Sequence, residues 1–67
     1  MTITATRDGN QTWTASADIE PAKAAVGLSP DHAFSQLVML LEVDFAFRQA
    51  LRRTAVMPGR VVWQFNA

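Results

Sequence analysis

The chain has 67 residues, six basic and six acidic side chains, one histidine and no cysteine. That length is one domain near the lower limit of independent folding, where a single core supplies little net stability and association often supplements it. Zero formal charge offers no global field for nucleic acid or anionic membrane, and the lack of cysteine excludes a disulfide framework and any thiolate metal site.

The N-terminus, Met1-Thr-Ile-Thr-Ala-Thr-Arg, has no basic region followed by a long apolar run, so a cytoplasmic protein is the expectation. Residues 2 to 7 and 11 to 19 alternate as strands do, and Asp8-Gly9-Asn10 between them favours the positive φ of a tight turn. An odd-length loop, three residues with Gly9 or Asn10 left-handed, would pair Ala5 with Trp13 and Ile3 with Ala15. It places Thr4, Thr6, Thr12 and Thr14 on the opposite, solvated face. Residues 20 to 28 fit a short helical turn or a strand equally, because Ala favours the first and Val26 the second.

Ser29, Pro30 and Asp31 form a helix start: an N-cap, a first-turn proline and an acidic residue at the positive end of the dipole. The spacing predicts one helix from Ser29 to Ala55, about 37 Å long at 1.5 Å per residue, ended by Met57-Pro58-Gly59. Phe34, Leu37, Val38, Leu41 and Phe45 make one apolar stripe. Met39, Leu40, Val43, Phe47, Ala50 and Leu51 make a second on roughly the opposite side. The longest apolar run, Leu37 to Leu41, is too short to span a bilayer. The last segment, Arg60 to Asn66, reads as a strand with Val61, Trp63 and Phe65 on its buried side.

The fold expected is therefore α+β in one domain over residues 1–67: a small antiparallel sheet, made of the N-terminal hairpin and the C-terminal strand, packed on one long helix. A sheet covers one helix stripe only. The other, with Met39, Leu40, Val43, Phe47 and Leu51, is the expected protein interface, used first for a homodimer through the free side of the helix.

Little in the chain points to chemistry. His32 adjoins Asp31, and neighbours on a helix point apart, so the pair is no catalytic dyad. No spacing suggests a metal or cofactor site, so none is expected. Arg48, Arg52, Arg53 and Arg60 are the one basic concentration, at a predicted helix end. They could contact phosphate in a nucleic-acid-binding dimer, though dipole complementation and an Asp44–Arg48 pair explain them as well. Trp13 and Trp63 sit on the apolar sides of their strands and read as core.

Asp8-Gly9-Asn10-Gln11-Thr12-Trp13, with Gly27-Leu28-Ser29-Pro30-Asp31-His32-Ala33-Phe34 after it, resembles the small HicB-type antitoxin domain over residues 2 to 50. The resemblance implies a partial RNase-H-like sheet whose third strand leads into a capped helix. It also implies a non-enzymatic mode, occlusion of a protein partner. The functional expectation is a small inhibitor or adaptor of protein partners, in the class of antitoxins and phage-encoded anti-defence proteins such as anti-CRISPRs. The alternatives are the nucleic-acid-binding dimer and a structural subunit of a larger assembly.

Overall fold

In the structure, a computed structural model, residues 1–9, 11–19, 23–42 and 45–65 are described. Their order is β1 (Thr2–Asp8), β2 (Thr12–Ala17), β3 (Ala24–Gly27), α1 (Pro30–Leu41), α2 (Phe45–Ala50), β4 (Leu51–Met57) and β5 (Arg60–Phe65). The strands form one antiparallel sheet in the order β3-β2-β1-β5-β4. The α+β class holds, and the sheet is larger than expected: five strands where the hairpin and a C-terminal strand were anticipated.

The hairpin loop spans three residues, because Asp8 pairs with Thr12. Its odd length is the one expected, with Gly9 at φ 47° and Gln11 at φ 61°. The register lies two residues from the expected one: Ala5 faces Ala15 and Ile3 faces Ala17. Shifting by two leaves every side chain on the same face. Ile3, Ala5 and Ala15 are fully buried, while the threonines share the other face. Asp8 accepts a hydrogen bond from the Thr14 hydroxyl, which ties the two strands beside the turn.

The ambiguous stretch resolves as a strand over residues 24–27, added to β2 through Ala15 opposite Ala25. Across the sheet Ala25, Ala15 and Ala5 then form a row, continued by Val61 of β5 and Val56 of β4. The alanines are short, so α1 settles closely on β3, β2 and β1 with Ala33, Leu37 and Val38 buried against them. Gly27 completes the close approach. A Cβ built there would lie 2.4 Å from the Ala33 backbone nitrogen, closer than any real contact.

The long helix of the sequence reading does not form. Ser29 caps α1 as expected, its hydroxyl accepting from the His32 amide at 3.0 Å. The helix stops at Leu41, where Glu42 turns left-handed (φ 54°) and its amide donates to Met39 O. A short α2 follows, and Leu51 to Met57, expected as helix, is strand β4. The reason is the turn. Pro58 and Gly59 (φ 76°) separate Met57 from its partner Arg60, in the residue order of a type II turn, so they reverse a hairpin instead of ending a helix. The hairpin gives β5 a second neighbour, and the β-branched Thr54 and Val56 suit a strand better than a helix.

Trp63 is buried and stacks on Phe34 with ring centroids 4.4 Å apart, joining β5 to α1. Phe47 of α2 stacks on Phe65 at 4.6 Å. No described helix is long and apolar enough to cross a membrane.

Candidate functional site

Apolar surface left exposed by this packing falls at both ends of the sheet, with Val56 and Met57 on β4 and a larger group at the β3 edge. Val26 is 58%, Leu28 75%, Met39 70% and Leu40 49% exposed. The helix runs back along the strand it follows: its start abuts Gly27, and at its end the Lys23 ammonium donates to Leu40 O at 3.5 Å. Helix and edge strand thus flank a hollow of about 500 Å³ lined by Ala25, Val26, Gln36, Met39 and Leu40. β3 pairs with β2 on one side, and on its other side no described strand covers it.

Of the expected interface stripe, Met39 and Leu40 are thus placed at one surface. Phe47 and Leu51 are not with them. Once the helix breaks after Leu41, Phe47 turns onto Phe65, and Leu51 opens β4 and packs against the core as a partly buried residue. Val43 lies outside the described residues. The surface therefore combines two of the stripe's five residues with Val26 and Leu28, which sequence reasoning left unassigned because the state of residues 20–28 was open. Their signal was present in the chain, since Ala24-Ala25-Val26-Gly27-Leu28 carries no charge.

The four arginines do not gather at a helix end. Arg48 is on α2, where its guanidinium donates to the Ser35 hydroxyl at 3.3 Å. Arg52 and Arg53 follow one another on β4 and so point to opposite faces. Arg52 is opposite Gln64 and Arg60 opposite Thr6, which places both on the threonine face, whereas Arg53 is opposite Trp63 on the helix side. The Asp44 partner expected for Arg48 lies outside the described residues.

His32 is held as part of the cap region: its Nδ1 accepts from the Leu28 amide at 3.0 Å. Trp13 is partly buried against the core, as its place on β2 implied. Beside it a second, wider hollow of about 630 Å³ is lined by Arg7, Gly9, Gln11, Trp13 and Leu28. Among the described residues no three His, Asp or Glu side chains come close enough to hold a metal ion, and no polar side chain is buried.

No family model, curated protein or solved structure matches the chain.

Proposed function

We propose that this chain is a non-enzymatic protein-binding domain, an inhibitor or adaptor that acts by occupying a site on another protein, and that it docks through the β3–α1 edge. One observation carries the reading: an uncharged edge strand exposes its own Val26 on the outer face and runs beside three further exposed apolar side chains, Leu28, Met39 and Leu40. Open strand edges are templates for pairing, and a groove between edge strand and helix is a recurring way to accept a further strand. The strand supplies main-chain hydrogen bonds, and the hollow receives alternate side chains. The HicB-type resemblance is of the same kind in its first part, where hairpin, third strand and capped helix follow one another, whereas α2, β4 and β5 after them depart from it. Nucleic-acid binding through the arginines is disfavoured, since their division between two faces and a helix gives no continuous track for phosphates.

The test is capture of a partner in defined stoichiometry. A protein retained by the immobilised native chain, lost with Met39→Glu and kept with the Arg52→Ala, Arg53→Ala double variant supports the reading. Salt-sensitive retention of DNA or RNA that the double variant abolishes would refute it.

A further inference from the structure

We infer that the β3–α1 edge also takes a second copy of this chain, the two β3 strands pairing antiparallel across a two-fold axis into one ten-stranded sheet. This rests on the reading of that edge as a protein-docking surface and names one occupant for it.

Register narrows the geometry. Ala25 and Gly27 lie beneath α1, while Ala24 and Val26 are on the threonine face. Opposed residues of an antiparallel pair share a face. Registers that set a residue opposite its own copy keep both helices on one side of the sheet, and those centred on Ala25 or Val26 pair the most of this four-residue strand. Either places the axis beside Gln36, because Gln36 borders the same hollow as those two residues. With strands about 4.8 Å apart at the axis and α1 lying over both β3 and β2, set back from the edge by about half a strand spacing in each copy, the helices come side by side near the usual packing distance of about 8–10 Å. Met39 and Leu40 of each copy then leave water against the other's helix.

Charge favours the same occupant. β3 has no charged residue, so self-pairing opposes no like charges across the strands. Antiparallel pairing also brings the Lys23 end of each strand alongside the partner's Leu28–Asp31 end, a basic residue near an exposed acidic one, twice by symmetry. The other edge is unsuited. β4 carries Arg52 and Arg53 and a register irregularity between Arg53 and Ala55, the devices that keep strand edges apart. A chain of 67 residues gains much from such an association, because alone it buries a smaller share of its surface than a larger domain does.

The experiment is light scattering over a range of micromolar concentrations, with circular dichroism to verify folding. The native chain, 7.4 kDa, is expected at twice its mass. Met39→Glu and Val26→Lys should each weaken the dimer by at least tenfold, and Val56→Lys on the other edge should leave the mass unchanged. Since the chain has no cysteine, Gln36→Cys supplies a readout that survives if a charged variant misfolds. It should give a disulfide-linked dimer on mild oxidation, while Val56→Cys should not. A native single-chain mass overturns the second copy. If that monomer still captures a protein in a Met39-dependent manner, the docking reading stands, and if it captures none, both fall. A dimer broken by Val56→Lys and indifferent to Met39→Glu moves the pairing to β4 and overturns this inference.

Discussion

The two ends of the sheet are built on opposite plans. At β3 the strand is four residues long and uncharged, and α1 covers its inner face, so that Ala25 and Gly27 are buried while the outer rim stays apolar. At β4 the strand is seven residues long and interrupted between Arg53 and Ala55, it contains two arginines, and none of its residues is buried. A protein that must avoid indiscriminate edge pairing guards its strands with charge and irregularity. Guarding one edge and leaving the other bare beside Met39 and Leu40 separates a surface kept apart from a surface available for contact.

Four substitutions break or sharpen that comparison, beginning with the side that α1 covers. Leu37 is fully buried between the helix and the alanine row. Leu37→Ala is expected to cost about 2–5 kcal/mol, the range for a buried leucine whose cavity cannot collapse. Total stability is of order 0.05–0.15 kcal/mol per residue. Urea denaturation should therefore show a chain close to unfolded in water. A loss below about 1 kcal/mol would mean that α1 is not the clamp over β3, β2 and β1 that the geometry implies.

Gly27→Ala is the next largest. Its added methyl would meet the backbone of His32 and Ala33, which cannot rotate away as a side chain can. Lifting the first turn of α1 off β3 is expected to cost about 1–3 kcal/mol, as overpacking does. A thermal melt measures it, and the same variant should weaken any contact made at this edge, because Ser29 and the exposed Leu28 move with the turn. An unchanged melt would show that helix and strand are less closely seated than a 2.4 Å approach requires.

These effects bear on what could be read from the chain. The hairpin was legible because alternation and Asp8-Gly9-Asn10 are local signals, and parity survived even where the register slipped by two. The start of α1 was legible for the same reason, in Ser29, Pro30 and Asp31. Its end was not. Residues 42 to 55 keep an apolar spacing compatible with helix, and what overrides it is non-local: pairing of Leu51–Met57 with β5, made available by the turn at Pro58 and Gly59. Three of the five residues of the interface stripe, Val43, Phe47 and Leu51, lie in that segment. Met39 and Leu40 stayed exposed because they precede the break, whereas Phe47 found Phe65, a partner that exists only once β5 is in place. Val26 and Leu28 could not be assigned to a surface until the pairing of β3 with β2 was known.

The smallest expected effect isolates coverage from everything else. Val61 and Val56 stand directly opposite each other on β5 and β4, on the same face and in the row that continues the alanines, yet Val61 is 4% exposed and Val56 66%. Replacing either with threonine keeps the shape and the β-branching and changes a methyl into a hydroxyl. At Val61 the hydroxyl is buried among apolar neighbours, at a cost of about 1–3 kcal/mol if no acceptor reaches it. At Val56 water solvates it and the change should stay within about 0.5 kcal/mol, as at ordinary surface positions. Equal losses at the two sites, measured in the same urea series, would mean that another molecule covers the β4 face in solution. The contrast between a guarded and an available edge would then give way to a domain that associates at both ends. Unequal losses, with Val56→Thr near zero, leave the apolar surface beside α1 as the side through which this chain meets others.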